Sequence, residues 1–442
     1  NKHFNLKINM DLMTRTPISQ IRFDNDFFKN NSALALVCGG PCTDWTWTLQ
    51  PHNHERVLEF FKDNAEFSDE KLERVREVLE KGGEYPIKPN GLDLRSFMSN
   101  LFGEPEIVQH GSQGLNVAIQ ASAFGFGPVL YDHSISSENV ETFVQRSSSS
   151  LGLMKDIYYR TREHEPCCRK NTGPSVTINL RTEYGDSVSN AYLSDARERN
   201  FNFPDVREHL AKAGERISSA LDSGKSVGCI VADIQVLGHS LDGREFSKYL
   251  NYMKGVISEV KGLSKKNKGL VALVDCGGLS AYSDKEIREL YGAIYGHAPI
   301  LGGNEFEIQK LDNVVNRNAE YNHIQNAINL VNAGVESVWL HTRDYQVFVA
   351  NEKSIHPDMA KALAFSNLTA GLSLEQQGCV TLPYLQERIN QGDFSFRGDE
   401  FSVYGSQGCQ IVKVPSLDIN PSSEIQAGDR AGLGFVYGLL KS

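Results

Sequence analysis

Glu424-Ile-Gln-Ala-Gly-Asp429-Arg-Ala-Gly432, near the C-terminus, reads as a turn that opens a helix, with a carboxylate in the first helical positions and small residues around it. Backbone N–H groups at a helix start attract phosphate, and glycine lets an anion approach the chain closely. An aspartate in that place is repelled by the anion unless it takes a proton or meets a metal. Phosphoryl transfer to a hydroxyl needs this pairing of an anion cradle with a nearby base. Ala-Gly-Asp is also a common surface turn, so its weight depends on what precedes it.

Upstream lie short apolar runs of strand length: Ala33–Cys38, Val227–Ala232, Leu270–Val274 and Ser337–Leu340. Continuous apolar runs suit a sheet covered on both faces. Helical patterns alternate with them. From Ser68, Leu72, Val75, Val78 and Leu79 share one face up to Gly82-Gly83. Ser283-Asp-Lys-Glu286 is a capping box before Ile287, Leu290 and Ile294, and another helix runs from about Glu320 to Ala333. Strand followed by helix, repeated, predicts an α/β fold with a mostly parallel central sheet flanked by helices. Phe401–Tyr404 and Gln410–Val414 predict a hairpin across Gly405–Gly408. Two stretches break the rhythm, Trp45 to about Gly103 and Ser175–Phe203. They suggest a smaller inserted lid (46–103 and 175–203) on a discontinuous large domain (1–45, 104–174 and 204–442).

The 442 residues carry 40% apolar and 23% charged side chains, ordinary for a water-soluble globular chain, and a net charge of −10. That balance argues against nucleic acid as the main partner, while a few cationic side chains in a cleft suffice for an anionic substrate. No apolar run approaches the roughly 18 residues that a membrane helix needs. The eight cysteines are scattered without zinc spacing, which points to a reduced, cytoplasmic setting. The chain opens on Asn1, so a removed leader would be invisible in it. Oligomeric state is not legible.

Ligands of parallel α/β sheets bind at the carboxyl ends of the strands, so the residues there carry the chemistry. Cys38-Gly-Gly-Pro-Cys-Thr-Asp44 follows the first strand, and Asp44 either caps a turn or accepts hydrogen bonds from substrate hydroxyls. His110-Gly-Ser-Gln-Gly114 leads into the small-residue helix Leu115–Ala123. Leu301-Gly-Gly-Asn304-Glu-Phe-Glu307 puts Asn304 and Glu307 on one face of a helix start. They are either a cap with first-turn acids or oxygen donors for Mg²⁺. Leu340-His341-Thr342 stands before the strand Gln346–Ala350, where a nucleotide contact is available.

This succession of early Asp, Gly-rich helix entry, NxxE, His-Thr and terminal Ala-Gly-Asp resembles the ribokinase superfamily. More narrowly it resembles the ADP-dependent glucokinase and phosphofructokinase family, from about residue 32 onward and best between 298 and 440. Val414-Pro-Ser-Leu-Asp-Ile419 is similar to that family as well. The resemblance implies a ribokinase-like fold and transfer of the β-phosphoryl of ADP to a hydroxyl of a sugar or sugar phosphate, leaving AMP. It puts the base on Asp429 and the phosphoryl at Ala427 and Gly428, with Arg199 (or Arg197) reaching the phosphates from the lid. It also implies Glu307 as organiser of Mg²⁺, nucleotide contacts at Asn304, His341 and Thr342, and sugar contacts at Asp44, Ser112, Gln113 and Gly114. ATP as donor, or ligand binding without turnover, are the alternatives.

The chain departs from the family pattern at several points. Gln426 stands where the GxGD motif has its first Gly. Arg430 follows the Asp and would either neutralise the phosphoryl or pair with Asp429. Asp275-Cys-Gly-Gly278 replaces an HxE motif, leaving Asp275 as a substitute metal-organising carboxylate. His110-Gly-Ser-Gln-Gly114 replaces a Gly-Gly-Asn/Gln-Ala-Gly turn.

Overall fold

The apolar runs pair with one another. In the computed structural model, β1 (Thr14–Pro17), β2 (Leu34–Cys38), β6 (Val129–Tyr131), β9 (Val227–Val231), β10 (Leu270–Asp275), β11 (Ile300–Asn304), β12 (Ser337–His341), β13 (Tyr345–Asn351), β14 (Glu400–Ser406) and β15 (Cys409–Pro415) form one sheet. Its order is β1-β14-β15-β13-β12-β11-β10-β9-β2-β6. The structure describes residues 13–29, 34–38, 42–63, 68–81, 83–87, 94–111, 113–126, 129–131, 175–184, 187–195, 215, 217–231, 243–277, 279, 282–317, 322–351, 358–376, 378–419 and 427–441.

From β6 to β12 every pairing is parallel, as expected, whereas β13, β15, β14 and β1 add on antiparallel. The registers Asp275↔Gly302 and Asn304↔His341 bring the carboxyl ends of β10, β11 and β12 level with one another. The β14–β15 hairpin turns at Gln407-Gly408, tighter than the sequence suggested. Both residues have positive φ (51° and 78°), the pairing that matches strand twist in a two-residue turn.

Helices cover both faces. On one side Gly243–Lys266, Asp284–Ala293, Glu305–Asn316 and His323–Asn332 bury Met253, Ile257, Ile287, Leu290, Ile308 and Leu311. The Ser283 capping box forms as read, with Ser283 Oγ accepting from Glu286 N–H and Glu286 returning a bond to Ser283 N–H. On the other side lie Gln113–Ala123, Met359–Glu375 and Ala427–Leu440. Met359–Glu375 is buried around nearly its whole circumference, because sheet and neighbouring helices enclose it together. An aromatic cluster of Phe27, Phe124, Phe365 and Tyr437 joins the N-terminal segment to these helices, and Tyr437 Oη donates to Phe27 O at 2.7 Å.

A second sheet, in the order β4-β8-β7-β3-β5, uses β3 (Cys42–Leu49), β4 (Gly83–Ile87), β5 (Ile107–Gly111), β7 (Ser175–Tyr184) and β8 (Ser187–Asp195). Its strands come largely from the stretches that broke the α/β rhythm. Helices His54–Asp63, Asp69–Lys81 and Leu94–Phe102 accompany it, and Trp47, Val57, Phe61, Val75, Leu79 and Met98 make a core of their own.

Candidate active site

The helix Ala427–Leu440 is held unusually close to the sheet, and glycines make that possible. Trp339 and His341 alternate onto the same face of β12, and Gly432 and Gly428, four residues apart, lie over them in turn. A Cβ on Gly432 would stand 3.6 Å from the Trp339 ring, and one on Gly428 only 2.8 Å from His341 Cε1. Trp339 stacks on Phe435 of the same helix (5.3 Å, 7°) and His341 tilts against Trp339 at 4.8 Å. The helix start is therefore fixed against the end of β12. Burial pulls the His341 imidazole down to about 4, so it stands neutral beside the electropositive N-terminus.

Asp429 sits in the first turn of this helix, where free N–H groups collect, as the sequence implied. Asn116, on the helix Gln113–Ala123, donates from Nδ2 to Asp429 Oδ2 at 3.0 Å. The sequence reading passed over Asn116. It was visible only as an amide on a small-residue helix, and its partner lies 313 positions away. Gln120, one turn on, is fully buried and exchanges two bonds with Val380, Nε2→O at 2.6 Å and N→Oε1 at 3.2 Å. Gln113, expected to meet substrate, lies on the backbone of Gly277, and Gly114 is buried beside it.

Asn304 and Glu307 make a capping box. Asn304 Oδ1 accepts from Phe306 N–H and Glu307 N–H, both at 3.0 Å, and Glu307 Oε2 accepts from Asn304 N–H at 2.9 Å. The structural reading of this pair therefore holds, and the Asn304 oxygen is committed to its helix. On the adjoining strand end, Asp275 is buried and its Oδ1 accepts from Gly277 N–H at 3.1 Å. Cys276 lies between them. Burial first, then the charges of Glu307 and Asp275, push its thiol well above the ordinary range. Among the described residues no group of three or more His, Cys, Asp or Glu is gathered as a metal cage. Two carboxylates at neighbouring strand ends suit Mg²⁺, which keeps several waters and takes one or two carboxylates plus phosphate oxygens.

Thr342 shapes the turn into β13. Its Oγ1 donates to Tyr345 O at 2.9 Å and accepts from Asp344 N–H and Tyr345 N–H. Beyond the turn opens a cleft of about 680 Å³ lined by Tyr345, Lys413, Tyr404, Arg397, Asp344 and Arg15, among others. Lys413 Nζ stands 3.9 Å over the Tyr345 ring, and Arg397 pairs with Asp344 at 2.8 Å. The cleft opens beside the Thr342 turn and offers aromatic faces with cations.

Two expectations change. Asp44 was read in a loop after the first strand; its backbone lies inside β3, paired with Gln109 and Thr177, because the chain enters the second sheet at once. Arg430 was read as neutralising the phosphoryl or pairing with Asp429; it is 6% exposed and its Nη1 donates to Ser373 O at 3.3 Å, at the end of helix Met359–Glu375. Ser112, Arg197, Arg199 and Gln426 lie outside the described residues. Four described cysteines, Cys229, Cys276, Cys379 and Cys409, are free thiols. No described helix is long and apolar enough to cross a membrane.

No protein-family model and no curated protein matches the sequence. Solved structures do match in fold. An ADP-dependent kinase in complex with fructose-6-phosphate and ADPβS superposes with a TM-score of 0.66 at 14% identity, over 92% of this chain and 94% of that one. A last common ancestor of ADP-dependent phosphofructokinases from Methanosarcinales gives 0.62 at 14% identity over 96% of both chains. A phosphofructokinase from Pyrococcus horikoshii OT3 with AMP gives 0.61 at 14% identity, over 92% of this chain and 97% of that one. The chain shares the fold of these solved structures, an α/β architecture with a mostly parallel central sheet, as the sequence implies.

Proposed function

We propose that this chain is a kinase that transfers the β-phosphoryl group of ADP to a hydroxyl of a sugar or sugar phosphate, releasing AMP. The observation that carries the reading is Asp429. It is a carboxylate in the first turn of a helix whose start is pinned by the contact of Gly428 with His341, and a buried amide holds one of its oxygens. The N–H groups of Ala427 and Gly428, at the helix start, suit the transferring phosphoryl, and Asp429 takes the proton of the attacking hydroxyl. The acceptor then approaches over Gln113 and Gly114, with Ser112 and Asp44 as further contacts.

The nucleotide would run from the helix start past His341 and the Thr342 turn toward the Tyr345 cleft. Glu307 and Asp275 would hold Mg²⁺, partly through water. The ion, when bound, neutralises phosphate charge. The second sheet serves in this reading as a lid that excludes competing water, with Arg199 reaching the phosphates. The similarity in fold to a kinase complexed with fructose-6-phosphate and ADPβS supports the substrate classes.

The test is a panel of sugars and sugar phosphates assayed with Mg²⁺ for AMP release from ADP and, in parallel, for ADP release from ATP. AMP formation dependent on one acceptor, abolished in Asp429→Ala with nucleotide binding largely retained, is the expected result. Turnover by Asp429→Ala at the wild-type rate refutes the assignment, and turnover with ATP alone moves the donor to ATP.

A further inference from the structure

Helix Gln113–Ala123 carries amides at 113, 116 and 120, spacings that put them on one face of a helix otherwise built of small and apolar residues. Asn116 is 4% exposed and Gln120 is completely buried. A buried amide without partners is costly, on the order of 1–3 kcal/mol, so each must be used. Gln120 is spent on Val380, a two-way link that fixes the helix along its axis and in rotation. The tight packing of Val117, Ala118 and Ala121 among the residues of helix Ala427–Leu440 and their shared core adds to that rigidity. Asn116 therefore reaches Asp429 from a support that does not yield.

We infer that Asn116 is a positioning residue for Asp429: its Nδ2–H, donated to Oδ2, sets the rotamer of the carboxylate and favours its charged form. This rests on the kinase reading of Asp429. A carboxylate on a helix N-terminus otherwise swings toward the nearest backbone N–H groups and caps them, which would take it out of line with an acceptor hydroxyl. The amide counters that pull from the opposite side. It also acts at the point where the acceptor-side helix meets the phosphoryl-side helix, so it couples the two halves of the site geometrically.

The experiment compares the full-length wild type with Asn116→Ala and Asn116→Asp, each checked for cooperative melting. In Asn116→Ala, kcat for AMP formation falls about 10²-fold while KM for ADP moves less than about threefold, because aim is lost and nucleotide contacts are not. The acidic limb of the kcat–pH profile shifts upward in the same variant. In Asn116→Asp, which keeps the side-chain size, a second carboxylate raises that limb by about one unit or more. Isotope-edited carboxyl NMR, with the Asp429 signal assigned by its loss in Asp429→Asn, reads the same coupling without turnover: the midpoint rises in Asn116→Ala. Unchanged kcat, acidic limb and midpoint overturn the inference. A lower melting temperature with an unmoved profile and midpoint also overturns it, since a purely structural amide gives that result. If Asn116→Ala does not fold, Asn116→Asp decides by its acidic limb or midpoint. If the wild type phosphorylates no acceptor, the kinase reading fails, and the Asp429 midpoint alone decides: raised, the coupling stands; unmoved, it falls.

Discussion

His341 makes stability depend on pH in a way that can be calculated. Its imidazole lies against Gly428 and Trp339 at the end of β12, and burial brings its pKa from 6.5 down to about 4. Because the folded value is the lower one, the unfolded chain takes up the proton first as pH falls. Stability is thus complete above about pH 6.5 and is lost progressively as pH drops toward about 4. Between about pH 7.5 and about pH 5 the two values give a loss of up to about 2 kcal/mol from this one group; the partial exposure of the residue makes that an upper figure. Burial shifts His54 and His323 downward as well, so the total pH dependence mixes several groups. The comparison that isolates His341 is urea unfolding of wild type and His341→Gln at both pH values. The packing lost in the variant is independent of pH and cancels in the difference of differences, as do the other histidines. The wild type is expected to lose up to about 2 kcal/mol more than the variant on acidification. Equal losses would mean that the ring is solvated or that an anion is held beside it, and the close packing of His341 on the helix start would be wrong.

Gly428→Ala puts a methyl 2.8 Å from His341 Cε1, and the ring is backed by Trp339, so the helix start has to move. Turnover should fall about 10²-fold in the kinase assay, and an unchanged kcat would contradict the close approach. Gly434→Ala sets two effects against each other. Alanine gains about 1 kcal/mol of helix propensity, while a Cβ 2.7 Å from Thr369 Oγ1 and 3.1 Å from Ser366 Cα overpacks by about 1–3 kcal/mol. A net loss in urea unfolding is expected, because backbone stands behind the clash; a gain would show that the two helices are farther apart. Tyr345→Ala removes an aromatic face of the cleft and should weaken ADP binding about tenfold by calorimetry, an unchanged Kd placing the base elsewhere.

What was legible in the sequence was what chain-local physics controls. Leu270–Asp275 and Ser337–His341 are apolar throughout because both faces are covered, and Ser283 and Glu286 announce their capping box within four residues. The motifs put Asp275 and His341 at the ends of their strands and Glu307 and Asp429 in the first turns of their helices. The second sheet was not legible as a sheet. Its strands β3, β4 and β8 are polar or mixed, and two of the pairings that assemble it, Gly83 with Ala191 and Thr46 with Asn179, span more than a hundred residues, whereas the β7–β8 hairpin (Tyr184 with Ser187) is local. The hairpin turn moved by two residues for a similar reason. Gly405 suggested a loop, but pairing with Gln410 holds it in β14, and the positive φ fell to Gln407 and Gly408.

A further point lies inside the motif itself. Asp429 and Arg430 are neighbours in sequence, and that proximity invites either a salt bridge or a shared task at the phosphoryl. Helix geometry argues otherwise, because consecutive residues point about 100° apart and do not face each other. Asp429 turns toward the Gln113–Ala123 helix and Asn116, whereas Arg430 turns toward the end of Met359–Glu375 and the carbonyl of Ser373. There the guanidinium meets a helix C-terminus, whose exposed carbonyls favour a cation, and its charge partly offsets the effect of burial on the Cys379 thiol. One first turn thus presents a carboxylate to the reacting side and a cation to the supporting side. An arginine that looked like a defect in the phosphate motif is accounted for as a brace on the opposite side of the same turn, which in the proposed reading leaves the motif's chemistry to Asp429 and Asn116.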